Sequence, residues 1–184
     1  MEKYYKITLD GKEFLLPKAG IGGNKFVAVF DPYSDVNMNR AAAKDLYKKI
    51  VENNLQDVDV IISAEAKGAA LAQRVADLCN ADLLVFRKKV KINFEEPVIA
   101  HVKTFTSGTS QLFIDKKYLD KYKGKKALFV DDVISTGSTI LAIKDVLDKY
   151  DINVLKYCCV FKESDDVQQD LLYVDTLPIF EENP

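Results

Sequence analysis

From Ala127 to Ile140 the chain reads ALFVDDVISTGSTI. An apolar run, Ala127 to Val130, delivers two adjacent carboxylates, Asp131 and Asp132. Two apolar residues later comes a turn of hydroxyls and glycine, Ser135-Thr136-Gly137-Ser138-Thr139. Continuous apolar runs read as buried strands, so the acids fall at the carboxyl end of a strand. An amphipathic pattern begins at Thr139 and places the turn at a helix N-terminus, where free N–H groups and the helix dipole favour an anion such as phosphate. The acids accept from neighbouring sugar hydroxyls while the turn holds a phosphate nearby. These residue types ask for a ribose 5-phosphate. An ordinary helix cap needs one hydroxyl and no acid pair. The turn has neither the Lys-Ser/Thr ending of a Walker A loop nor the three spaced glycines of a dinucleotide fingerprint.

Two further segments carry suitable chemistry. After the expected strand Val58 to Ile62 comes Ser63-Ala64-Glu65-Ala66-Lys67-Gly68, a second polar turn opening a helix. Arg87-Lys88-Lys89 ends the apolar run Leu83 to Phe86, and Lys91 follows. A planar guanidinium in that place suits an anionic ligand, whereas a basic cluster in general is a solvated face; Lys89 stays undecided between the two. His101 is the single histidine and reads as an exposed loop residue, because nothing fixes a partner for it.

The elements that must position these groups alternate. Tyr4 to Leu9 and Lys12 to Leu16 flank Asp10-Gly11, a dipeptide preferred in two-residue hairpin turns, and Pro17 to Asn24 reads as a glycine-rich loop. Strands are expected at Phe26 to Phe30, Val58 to Ile62, Leu83 to Phe86, Ala127 to Val130 and Val154 to Phe161. Helices are expected at Asn39 to Asn53, Ala69 to Cys79 and Thr139 to Tyr150. Between them, Val98 to Phe105 and Gln111 to Ile114 are extended arms, and an apolar run closes the chain at Leu177 to Phe180. Alternation of this kind implies right-handed βαβ units and one twisted parallel sheet flanked by helices, with ligands outside the carboxyl ends of the strands. The expected organisation is a hairpin and hood contribution over 1–25 and a single α/β core over 26–184.

At 184 residues and 48% hydrophobic composition the chain supports one full core. A formal net charge of −2 argues against a nucleic-acid surface. No apolar stretch approaches the roughly 20 residues of a membrane span, and the N-terminus lacks a signal-peptide core. Cys79, Cys158 and Cys159 form no disulfide framework or metal spacing, which points to the cytosol.

The Ala127 to Ile140 segment resembles the phosphoribosyl-pyrophosphate (PRPP) motif of the type I phosphoribosyltransferases, and the likeness extends from about Phe26 to Phe180. The resemblance implies that fold, with a small N-terminal hairpin or hood and a flexible loop. Asp131 and Asp132 would then orient the ribose hydroxyls as catalytic residues and hold Mg²⁺, mostly through water. Ser135, Thr136, Gly137, Ser138 and Thr139 would bind the 5′-phosphate. Glu65, Ala66, Lys67 and Gly68 are similar to the family's pyrophosphate loop, and with Arg87 and Lys91 they would bind the diphosphate. The arm from Val90 to Lys125 resembles the loop that closes over PRPP, with Thr106, Ser107 and Gly108 at its tip. Its tip lacks the Glu-Tyr-Gly-Lys signature of the adenine enzymes, while Thr104-Phe105-Thr106 resembles the xanthine enzymes. Val29-Phe30-Asp31 resembles a segment that reads adenine through backbone groups, and Lys162 and Glu163 stand near the base-binding strand end of the xanthine enzymes. The resemblance therefore implies a cytoplasmic, homodimeric purine phosphoribosyltransferase of purine salvage, acting on PRPP and a purine base, with adenine favoured. Xanthine or hypoxanthine, an orotate-type acceptor, and a non-catalytic PRPP-sensing regulator remain as alternatives.

Overall fold

The structure, a computed structural model, describes residues 3–104, 108–163, 167 and 170–181. The chain opens with β1 (Tyr4–Leu9) and β2 (Lys12–Gly22), which pair antiparallel with Leu9 opposite Lys12. Asp10 and Gly11 form the two-residue turn, both at positive φ (48° and 71°), as a type I′ hairpin requires. Pro17 to Asn24 is not the loop that its glycines suggest. β2 continues to Gly22, because β3 (Lys25–Ala28) supplies a partner for it, with an irregularity between Gly20 and Gly22. The C-terminal β11 (Ile179–Glu181) completes this four-stranded sheet on the far side of β3, so both ends of the chain build it.

The larger sheet follows from the apolar runs. α1 (Val36–Glu52) leads to β4 (Val60–Ala64), whose five residues are all buried. Next come α2 (Lys67–Cys79) and β5 (Asp82–Phe86). A two-stranded ribbon, β6 (Pro97–Thr104) with β7 (Gly108–Asp115), and a short α3 (Lys116–Lys121) intervene before β8 (Lys126–Ile134). α4 (Ser138–Lys149), β9 (Asn153–Lys162) and β10 (Leu171–Thr176) finish the core. The five parallel strands lie in the order β10-β9-β8-β4-β5. The sequence reading assigns neither α3 nor β10, although Leu171 to Val174 is an apolar run.

The core has two layers. One side of the sheet packs Leu46, Ile50, Ile61, Leu71, Val75, Leu128 and Val160 with α1 and α2. The other packs Ile62, Phe129, Ile143, Val146 and Leu147 with α4 and the ribbon. Burying each such side chain contributes roughly 1.5–3 kcal/mol, so the two layers fix the helices on opposite faces.

That arrangement makes a switch point. From β4 the chain winds outward through α2 to β5, and from β8 it winds the opposite way through α4 to β9. The loops after β4 and β8 therefore diverge, and a crevice opens between them, where open α/β sheets bind ligands. Pairing between β4 and β8 ends at Ile62 opposite Phe129, whereas β8 stays paired with β9 as far as Ile134 opposite Lys162. Asp131 and Asp132 consequently sit inside β8 rather than just past its end, on the stretch that β4 has left.

Candidate functional site

The loop after β8 is a small bowl. Asp131, Val133, Ile134 and residues Ser135 to Ile140 line a cavity of about 180 Å³. Gly137 stands at φ 73° as the residue before α4, a backbone state that glycine adopts without steric cost. No side chain caps α4. The nearest contacts are long ones, Ser138 N donating to Thr136 Oγ1 at 3.4 Å and Thr136 Oγ1 donating to Ser138 Oγ at 3.2 Å. α1 and α3, by contrast, are capped by Asp35 and Asp115. The first N–H groups of α4 are thus left facing the bowl together with four hydroxyls, the chemistry that receives an anion.

Beside the bowl lies the acid pair. Asp132 N donates to Asp131 Oδ1 at 2.9 Å. Burial, and then the charge of Asp132, push the Asp131 carboxyl well above the ordinary carboxylate range. Burial also raises Asp132, against opposing help from its hydrogen bonds and from the charge of Lys67. The Asp131 carboxylate packs directly over Gly68 in the first turn of α2, next to Ser63 Oγ, which is fully buried and has no hydrogen-bond partner among the described residues. Among the described residues no three His, Cys, Asp or Glu side chains converge on one point. Two neighbouring carboxylates beside a polar crevice fit a hard cation that keeps most of its waters, as Mg²⁺ does.

Glu65 to Gly68 join β4 to α2, which again has no side-chain cap, and the Glu65–Ala66 peptide is cis. Tyr33 OH donates to the carbonyl of Ala66, and Lys67 Nζ donates to the carbonyl of Phe30 at 3.2 Å, so the segment before α1 and the loop after β4 hold each other. Glu65 Oε1 is 2.7 Å from Arg87 Nε and 3.8 Å from Lys91 Nζ, while Glu65 Oε2 accepts from Lys88 N at 2.7 Å. Arg87 and Lys91 also border a cavity of about 740 Å³ along β5, with Tyr118 and Tyr122 on its other wall.

At the remaining corner, the ring of Phe30 is buried against Phe161 at a centroid distance of 5.2 Å, which leaves only its backbone near the crevice. Lys162 Nζ lies over the ring of Tyr173 at 5.7 Å. Glu163 follows β9, its N–H donating to the carbonyl of Ile134 at 3.0 Å, and its carboxyl is raised by burial and then by the charge of Asp132. His101 is exposed on β6, opposite Gln111. Gly108 opens β7 opposite Thr104, while Thr106 and Ser107 lie outside the described residues. The structure thus brings Gly68 against Asp131 and Glu65 against Arg87, so the turns after β4 and β8 meet, while Arg87 and Lys91 line the separate cavity along β5. Sequence reasoning placed Ser63 in the turn, whereas it lies inside β4, and it missed Tyr33 and the pairing of Glu65 with Arg87. The two polar side chains flanking known loop positions were the only signal for them.

A family model described as a phosphoribosyl transferase domain matches residues 33–181. The chain is 32% identical over 156 residues to an adenine phosphoribosyltransferase of Mycoplasmopsis pulmonis, covering 85% of this chain and 82% of that one. It is 30% identical over 132 residues to a hypoxanthine/guanine phosphoribosyltransferase of Methanothermococcus okinawensis, covering 72% and 69%. In fold it is similar to the crystal structure of adenine phosphoribosyltransferase from Thermoanaerobacter pseudethanolicus (TM-score 0.68, 20% identity, 78% of this chain and 83% of that one). The Saccharomyces cerevisiae adenine phosphoribosyltransferase, solved with adenine and an imino-altritol bisphosphate, gives the same TM-score at 17% identity, with 94% of each chain covered.

Proposed function

The chain belongs to the phosphoribosyltransferase family, and from that premise we propose that it transfers the phosphoribosyl group of PRPP to a purine base, adenine in preference, in purine salvage. The observation that carries this reading is the convergence, at the switch point of the sheet, of an acid pair, an uncapped hydroxyl-rich turn and a second uncapped turn.

In the reaction a base nitrogen forms a bond to C1 of the ribose while the bond from C1 to the diphosphate oxygen breaks, diphosphate leaves with that electron pair, and the proton of the base N–H is released. The ribosyl centre becomes cation-like, so positioning and charge management do most of the work. Ser135 to Thr139 anchor the 5′-phosphate through N–H and hydroxyl donors. Asp131 and Asp132 accept from the ribose hydroxyls. The turn Glu65 to Gly68, with Lys67, Arg87 and Lys91, receives the diphosphate. Mg²⁺ neutralises diphosphate charge when bound, and Asp131 and Asp132 are the residues that would hold it through water.

The preference for adenine is supported by the adenine relative, and we read Glu163, held at the end of β9 by its N–H donating to the carbonyl of Ile134 at 3.0 Å, as the side chain that meets the base, while Lys162 sits over Tyr173. An ionised carboxylate accepts and cannot donate, which suits an amino group; a lysine ammonium suits a 6-oxo group. A 6-oxopurine acceptor is the second reading, and the hypoxanthine/guanine relative favours it. We further read the protein as a cytoplasmic homodimer, its free cysteines fitting a reducing compartment. No helix among the described residues is long and apolar enough to cross a membrane. Incubation with PRPP, Mg²⁺ and a panel of adenine, hypoxanthine, guanine, xanthine and orotate tests the reading. AMP is the expected main product, orotidylate alone would move the protein to another acceptor class, and no product from any base would leave a PRPP-binding regulator.

A further inference from the structure

Glu65 is a carboxylate at the mouth of a turn read as a diphosphate cradle, where its charge opposes the ligand. Both of its oxygens are already engaged. Oε1 stands 2.7 Å from Arg87 Nε, Oε2 accepts from Lys88 N at 2.7 Å, and the side chain is only 20% exposed. Its own N–H donates to the carbonyl of Phe86 at 2.8 Å. The main chain of Arg87 is fixed independently, exchanging two hydrogen bonds of 2.7 Å with Phe113. Only the long side chain of Arg87 is then left to be placed.

Guanidinium carries five N–H donors in a rigid fork. Arg87 Nε is buried and faces Glu65 in an ion pair that is off the line of an ideal hydrogen bond, yet the side chain as a whole keeps 40% exposure. Its two Nη groups have no hydrogen-bond partner among the described residues. The Nε edge of the fork is thus ion-paired with Glu65, and the Nη edge is left without a hydrogen bond among the described residues. Lys91 Nζ, 3.8 Å from the same Oε1, is drawn to the same side. Holding a rotamer-rich cation in place before the ligand arrives removes the ordering cost from binding.

We propose that Glu65 is a positioning residue: it holds Arg87 by the Nε edge so that the Nη edge meets the diphosphate of PRPP. The inference rests on the reading of the Glu65 to Gly68 turn as the diphosphate cradle. It differs from a direct contact, because Glu65 acts only through a cation.

The test compares two ligands by calorimetric titration, PRPP and ribose 5-phosphate, on the full chain with Mg²⁺. Glu65→Gln keeps the size of the side chain and an acceptor for Lys88 N but loses the charge. Expected is a PRPP affinity weakened about 10-fold through the loosened ion pair, with ribose 5-phosphate affinity unchanged. Arg87→Met should weaken PRPP at least as much, and the double variant should be no worse than Arg87→Met alone, as residues acting in series behave. Equal weakening of both ligands would mean a general folding role and would overturn the proposal. So would unchanged PRPP binding, or additive losses in the double variant. A wild-type chain that binds neither ligand would sink the functional reading itself, and this proposal with it.

Discussion

A Cβ placed on Gly68 would lie 2.0 Å from Asp131 Oδ1 and 3.0 Å from Ser63 Oγ. The first turn of α2 and the acid pair of β8 are therefore packed backbone against carboxylate, and the absence of a side chain at position 68 is what lets the two loops of the switch point close on each other.

Gly68→Ala follows from that contact. In an ordinary helix the change stabilises by roughly 0.5–1 kcal/mol. Here it forces Asp131 aside, so we expect a loss of about 1–3 kcal/mol, as for overpacking of a filled site, together with weaker PRPP binding. Urea unfolding decides between the two signs, and a net gain in stability would show that Asp131 has room to move.

Asp131 is held as a carboxyl raised well above its ordinary value, chiefly by burial. The folded state then binds a proton more tightly than the unfolded chain does. Stability from this group is fully present below the ordinary carboxylate pKa and is lost as pH rises towards the raised value. Asp131→Asn removes that loss, so without added Mg²⁺ its melting temperature should exceed that of the wild type near neutral pH, with the gap closing as pH falls towards 4. Asp59 and Asp82 shift the other way, but they are common to both proteins and cancel in the difference. A gap that is constant with pH would contradict the burial of Asp131.

The choice of base turns on Glu163. Competing adenine against hypoxanthine at equal concentration should give mainly AMP. Glu163→Gln, which can donate as well as accept, should narrow the preference by about 5- to 150-fold, the worth of roughly 1–3 kcal/mol in one buried polar contact. Exclusive turnover of an oxopurine by the wild type would reverse the assignment, and Lys162→Met should then abolish that selectivity.

The parts of this molecule that rest on local pattern were legible in the sequence. Val60 to Ile62 and Ala127 to Val130 are unbroken apolar runs inside β4 and β8, and the hydroxyls after Asp132 do open a helix. What depends on a distant partner was not. Glycines at positions 20 and 22 suggest a loop, yet β3 turns the segment into strand. β8 outlasts its apolar run because β9, some 27 residues further on, keeps pairing with it. Glu65 finds Arg87, Lys67 finds the carbonyl of Phe30, and Gly68 finds Asp131 only after the sheet order is fixed. Side-chain direction was equally hidden: the ring of Phe30 and the ammonium of Lys162 each found an aromatic neighbour, Phe161 and Tyr173.

The assignment of Asp131 and Asp132 to the ribose of PRPP is the centre of the account, and calorimetric titration of PRPP into wild type and Asp132→Asn tests it most directly. Losing one charge-assisted hydrogen bond of about 1.5–3 kcal/mol predicts affinity lower by about 10- to 150-fold, with the fold intact. Binding of PRPP to Asp132→Asn as tight as to the wild type would contradict it.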